Sequence, residues 1–266
     1  MLWSVKELSR CEVTVRDGSL GPVRELYFDD AEWTVRYLIV RTSRLFGRDV
    51  LIVPAAVERV DADEHRIDLA LDLEQVKQSP PVDFDRPVSR QLAEQYFSYF
   101  SWPYWAAPGA WGLGIPMAMP PDPSPAEAAG AAEGQPEGDR HLRSFGEVTG
   151  YHIAGINGRV GHLEDLLVDD ESWGVRYLVV DTRNWWFGKQ VLLLPGSVRT
   201  IDWGKRLVHV DLTRERIKAA PQWQPGEPLR REDEFRLHAH YAMNPYWTNP
   251  RQSAISEQPG ASPEHP

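Results

Sequence analysis

One feature constrains this chain more than any other: it is written nearly twice. The run Gly21-Pro22-Val23-Arg24-Glu25-Leu26-Tyr27-Phe28-Asp29-Asp30 returns as Gly161-His162-Leu163-Glu164-Asp165-Leu166-Leu167-Val168-Asp169-Asp170. Val35-Arg36-Tyr37-Leu38-Ile39-Val40 returns as Val175-Arg176-Tyr177-Leu178-Val179-Val180, and Pro103-Tyr104-Trp105 as Pro245-Tyr246-Trp247. A repeat of this length predicts two copies of one domain, not a solenoid of small units. The copies fall at 1–105 and 141–247, separated by a Pro/Ala/Gly-rich stretch at 106–140 and followed by a tail at 248–266. Both intervening segments are too poor in apolar residues to offset ordering entropy and are expected to be disordered.

Within each copy the pattern is that of short strands. Asp17-Gly18 and Asn157-Gly158 sit at equivalent places and predict a tight hairpin through the positive φ that glycine and Asn/Asp tolerate. The apolar runs Val35–Thr42 and Val175–Thr182 predict central strands, and further strands follow at Val50–Pro54 and Val191–Pro195, then at Arg66–Leu69 and Leu207–Val210. The period then changes. Asp72 and Thr213 are placed to cap short helices over Leu73–Gln78 and Arg214–Ala219, with Gln75 completing a capping box on Asp72. Longer helices are expected over Ser89–Phe100 and Arg231–Tyr241.

The Asp-Asp turns, the Val-Arg-Tyr-Leu strands, the Val-Leu-Leu/Ile-Val/Leu-Pro strands and the run Leu212–Pro221 together resemble the PRC-barrel family. The resemblance covers residues 2 to about 105 and 142 to about 247. It implies a mainly β fold with short helices: two tandem small antiparallel β-barrels, each followed by a helical extension. Family members occur in the photosynthetic reaction centre H subunit and the ribosome-maturation factor RimM, where the barrel serves as a docking scaffold. The resemblance therefore implies a non-catalytic protein-interaction scaffold or adaptor of bacterial type. Its partner would be a protein, the other barrel or a second copy of the chain. Two alternatives stay open: a peripheral subunit of a membrane or reaction-centre-type assembly, and an RNA-processing or ribosome-assembly factor.

Charge and composition narrow these classes. A formal net charge of -10 disfavours broad contact with a phosphate backbone. No apolar run approaches the roughly 20 residues needed to span a bilayer, and a cytoplasmic location is expected. With one cysteine, Cys11, there is no intrachain disulfide, and its equivalent Tyr151 argues for a packing role. No catalytic, cofactor or metal residues are expected. His238 and His240, two apart on a helix, diverge, and the glycines of Gly155–Gly161 join strand to strand rather than strand to helix. The Asp29-Asp30 and Asp169-Asp170 pairs read as solvated turns. The aromatics remain as candidate interaction residues: Trp185, Trp186 and Phe187 in a turn, and Trp102, Tyr104, Trp105, Tyr246 and Trp247 at the domain ends. For the Pro-Tyr-Trp motifs the competing role is packing of the helix onto the barrel.

Overall fold

A computed structural model describes residues 1–42, 47–79, 141–182 and 189–248. The expected linker, the Ser89–Phe100 helix and residues 249–266 of the tail lie outside the described residues.

Strand β1 (Leu2–Ser4) leads into a single helical turn, α1 (Val5–Leu8), and then β2 (Glu12–Val15), β3 (Gly18–Asp29), β4 (Thr34–Arg41), β5 (Asp49–Ile52), β6 (Val57–Asp61), β7 (Arg66–Leu69) and α2 (Leu73–Gln78). The second half repeats this order as β8 (Leu142–Ser144), α3 (Phe145–Val148), β9 (His152–Gly155), β10 (Gly158–Asp169), β11 (Val175–Asp181), β12 (Gln190–Leu193), β13 (Val198–Asp202), β14 (Leu207–Val210) and α4 (Arg214–Ala219). It then adds β15 (Gln222–Trp223) and α5 (Arg231–Tyr241). The chain is mainly β with few short helices, arranged as two sheets.

The sheets have equivalent orders, β5-β4-β3-β2-β7-β6 and β12-β11-β10-β9-β14-β13, with β15 added outside β12. Pairing is antiparallel except for β2 with β7 and β9 with β14, which are parallel. Each of these orders has two free ends among the described residues, and both twelve-residue strands, β3 and β10, carry bulges on either edge. A bulge adds a local bend and twist, so one long strand can serve two parts of a curled sheet.

The compact units do not follow the repeat boundaries. One comprises Val5–Glu147; the other comprises Met1–Ser4 together with Val148 onward. The leading strand of each sequence repeat is built into the sheet of the other. β1 pairs antiparallel with β10, setting Trp3 opposite Val168, and β8 pairs with β3, setting Arg143 opposite Phe28. Repeat boundaries at 1–105 and 141–247 give no sign of this exchange, because three-residue strands carry no periodicity to read.

Central strands form the core of each unit. Leu26, Leu38, Leu51, Ile67 and Val76 are buried in the first, and Leu166, Leu178, Leu192, Val208 and Ile217 in the second. Every residue of β11 is buried. Helix α2 begins with the capping box read from sequence: Asp72 Oδ1 accepts from Gln75 N at 2.8 Å, and Gln75 Oε1 accepts from Asp72 N at 3.0 Å. Thr213 caps α4 through Arg216 N.

The Asp-Gly and Asn-Gly turns differ from expectation. The two turn residues are Arg16-Asp17 and Ile156-Asn157, while Gly18 and Gly158 already pair as the first strand residues. The Asp17 carboxylate accepts from Leu73 N at 2.7 Å, and the Asn157 side-chain oxygen accepts from Arg214 N at 2.8 Å. Each acceptor thus satisfies a helix N-terminal amide that has no partner inside its own helix. A Cβ on Gly18 would lie 2.7 Å from Leu73 Cδ1, so this glycine makes room for the docked helix. Only Gly158 combines that packing role with a positive φ, of 131°.

Candidate functional site

Three groups of side chains stand out once the sheets are in place: the two exchange seams, an aromatic and ionic closure at the end of the second unit, and a histidine–carboxylate cluster on β10 and β11.

At each seam, one edge of a long strand is shared by two partners. β2 pairs with Gly18–Pro22 of β3, and β8 takes Tyr27–Asp29 of the same edge. Between them, where β3 is bulged against β4 on its opposite edge, the side chain of Glu25 fills the gap. Its Oε1 accepts from Leu26 N at 2.9 Å and Gly146 N at 3.2 Å, and its Oε2 accepts from Ser144 Oγ at 2.8 Å. Asp165 does the same in the other unit, accepting from Leu166 N at 2.8 Å and from Ser4 Oγ. Asp165 is buried, and a buried carboxylate persists only when its oxygens are hydrogen-bonded in this way.

The Asp-Asp pairs divide their work. Asp29 Oδ1 accepts from the amides of Ala31 and Glu32, and Oδ2 from Arg36 at 3.0 Å. Asp169 likewise accepts from Glu171 N and from Arg176 at 3.0 Å. Burial raises the pKa of both, but these hydrogen bonds and guanidinium charges outweigh it and hold the carboxyls below the usual range. The second aspartate grips the exchanged strand. Asp170 accepts from Trp3 Nε1 at 3.0 Å, and Asp30 from Arg143 Nε at 3.1 Å, with His141 Nδ1 at 2.8 Å. A solvated turn accounts for neither residue.

Of the aromatic candidates, Tyr246 and Trp247 are described; Trp102, Tyr104, Trp105, Trp185, Trp186 and Phe187 lie outside the described residues. The closing Pro-Tyr-Trp motif packs against α5 and β11. Glu234 of α5 is 3% exposed, and its Oε1 accepts from both Tyr177 at 3.0 Å and Tyr246 at 2.9 Å. Arg231 pairs with its other oxygen at 2.9 Å and lies 4.2 Å from the Trp247 ring centroid, while Arg176 stacks 4.1 Å over Tyr246. Burial, and then the Glu234 charge, push the Tyr246 hydroxyl up to about 12, keeping it a neutral donor. Tyr177 is raised further for the same causes. Tyr246 and Trp247 therefore close the helix onto the sheet, and cation–π contacts reinforce that packing. His238 is buried edge-on to Trp247, whereas His240 meets Arg216 O at 2.8 Å, so the two imidazoles diverge. Cys11 is buried, and burial followed by the Glu7 charge raises its thiol to about 11, so it stays protonated.

Sequence reasoning missed the third group. His162, Glu164 and Asp181 each bring one ligand-type atom to within 4.8 Å of the others, with His162 Nε2 3.3 Å from Glu164 Oε2. The signal was available in the repeat itself, since the matching positions are Pro22, Arg24 and Arg41.

No family model matches the chain. An uncharacterized protein of Deinococcus radiodurans is 31% identical over 98 residues, which span 35% of this chain and 35% of that protein.

Proposed function

We propose that the chain is a non-catalytic protein-interaction scaffold built from two PRC-barrel-like units. The observation that carries this reading is the reciprocal strand exchange. Each sheet is completed by a segment from the other half of the chain. Strand addition at a sheet edge is a recurring mode of protein recognition, with backbone hydrogen bonds supplying affinity and side-chain pockets supplying specificity. This chain uses that mode on itself. The carboxylates of the two seams, half-buried Glu25 and buried Asp165, support the same reading, because both serve to hold elements together.

The partner would engage aromatic residues not consumed by packing, and Trp185 and Trp186 are the sequence candidates. Affinity purification from the native organism, with cross-linking and mass spectrometry, tests this. The expected result is one protein partner at fixed stoichiometry, with recovery reduced about tenfold or more in the Trp185→Ser, Trp186→Ser double variant and an unchanged melting temperature. Nuclease-sensitive recovery, recovery only with membranes, or recovery indifferent to the double variant would overturn the proposal.

A further inference from the structure

We propose that the exchange seams also join separate copies of this chain, so that residues 1–79 of one copy pair with residues 141–248 of a second, and the reverse. The partner is a second copy of the chain. The surface is the edge of β3 or β10 that each leading strand occupies. This inference concerns the seams alone and is independent of what Trp185 and Trp186 engage.

The connectivity carries it. Neither leading strand completes the sheet of its own repeat. β1 ends at Ser4 and α1 begins at Val5, yet Ser4 belongs to one compact unit and Val5 to the other. The second repeat makes a like crossing between Glu147 and Val148. Each repeat therefore carries a strand it does not use and a strand edge it does not fill. Leu2–Ser4 fills the edge at Leu167–Asp169, and Leu142–Ser144 fills the edge at Tyr27–Asp29.

The two transfers are reciprocal and share one register. Leu2 faces Asp169 as Leu142 faces Asp29, and Ser4 faces Leu167 as Ser144 faces Tyr27. Contacts in which i meets j and j meets i are the pattern of an isologous dimer, and exchange of an equivalent element is a low-cost route to one. Here both halves of that pattern are repeats of a single chain.

An unfilled edge is costly. Without β1, the end of β10 would lose its backbone pairing, and buried Asp165 would lose the Ser4 hydroxyl. Trp3, now 5% exposed, would lose its packing and its hydrogen bond to Asp170. Each repeat thus needs a second one. The seam contacts are the same whether that second repeat comes from the same chain or from another copy. Residues 80–140, which connect α2 to β8, favour the same chain only by raising the effective concentration of its other half. That concentration is on the order of 1 mM for a short flexible connection and falls as the connection lengthens. Pairing between copies should therefore become substantial as the chain concentration approaches that value.

Disulfide trapping tests this. Ser4 and Leu167 are directly opposed, and opposed antiparallel residues have Cα atoms about 4.5–5.5 Å apart, a separation that a disulfide spans. Two full-length chains are made in a Cys11→Ala background, one with Ser4→Cys and the other with Leu167→Cys. They are unfolded, mixed, refolded together at about 1 mM and oxidised. The expected product is a disulfide-linked dimer with one chain of each kind, its yield falling about tenfold or more when refolding is done at about 10 μM. A chain carrying both cysteines should link within itself at the lower concentration, which checks the geometry. Tyr27→Cys with Ser144→Cys repeats the trap at the other seam, where both side chains are partly exposed, and keeps it decisive if Leu167→Cys does not fold. Single-cysteine mixtures that stay unlinked at about 1 mM, while the double-cysteine chain links within itself, would overturn the proposal. Linkage equally strong between two Ser4→Cys chains would also overturn it, by placing the contact outside the seam. A double-cysteine chain that links neither within itself nor to a copy would remove the seam, and the proposal with it.

Discussion

The two exchange seams are alike in backbone and unlike in side chains. Both pair three residues antiparallel to the end of a twelve-residue strand, in matching registers. Both place a serine hydroxyl on the acid at the bulge, and both end on the second aspartate of an Asp-Asp pair. Yet one seam inserts Trp3, 5% exposed, where the other inserts Arg143, a partly exposed cation. The invariant elements are those that satisfy backbone amides at the gap between two edge partners. The residue anchoring the strand from above is interchangeable, because either an indole N–H or a guanidinium can donate to the same carboxylate. The exchange is thus fixed by hydrogen-bond accounting, and its strength is set separately in each unit.

Substitution at the two anchors is the most direct way to break this comparison. Trp3→Ala should destabilise its unit by about 3–5 kcal/mol through lost burial and cavity formation. Hydrogen exchange should then accelerate at Leu167–Asp169 while Tyr27–Asp29 keep their protection. Acceleration in both units would mean that the seams melt together and that the contrast is only apparent.

A smaller effect is expected at the shared ion pairs. Asp169→Asn should cost about 2–3 kcal/mol at neutral pH, since Arg176 is left largely buried against a neutral group. The folded-state pKa of Asp169 is lowered, so the stability it contributes is fully present above the ordinary carboxylate value near 4. It is lost as pH falls through the lower folded value, where folded and unfolded states bind the proton alike. Acid unfolding followed by circular dichroism should show that portion of the pH dependence missing in the variant. Asp29→Asn should behave the same way, and a difference between the two would sharpen the contrast between the units.

The smallest effect should come from Arg143→Ala, at about 1 kcal/mol or less, because its ion pair with Asp30 is partly solvated. Raising salt to 1 M should erase most of the difference from the parent chain, whereas the Trp3→Ala deficit should persist. A salt-insensitive loss at Arg143 would show that its aliphatic stem, rather than its charge, holds the strand.

Much of this was legible because it is local. Helices α2 and α4 begin and end where capping places them, since a cap is decided by residues three apart, and α5 spans the range its apolar spacing predicts. The strands around Leu38 and Leu178 were equally plain, because a continuous apolar run has few other places to go. The five-residue outer strands were harder. β6 and β13 are short and half-exposed, so no alternation marks them. Of the aromatic candidates, Tyr246 and Trp247 pack against the adjoining helix; periodicity could not show that Glu234 and Arg231 stand there to receive them.

The sequence by itself determined the duplication, the mainly β character, the caps and the central strands, because each rests on neighbours in the chain. Only the tertiary structure decided which repeat each leading strand completes, why Asp17 and Asn157 reach for a helix rather than merely turn a hairpin, and that His162, Glu164 and Asp181 meet. Those outcomes depend on strand register between distant segments. Because side chains alternate faces along a strand, one residue of slippage would send the whole row to the other face. No local pattern carries that choice; only the paired sheet makes it.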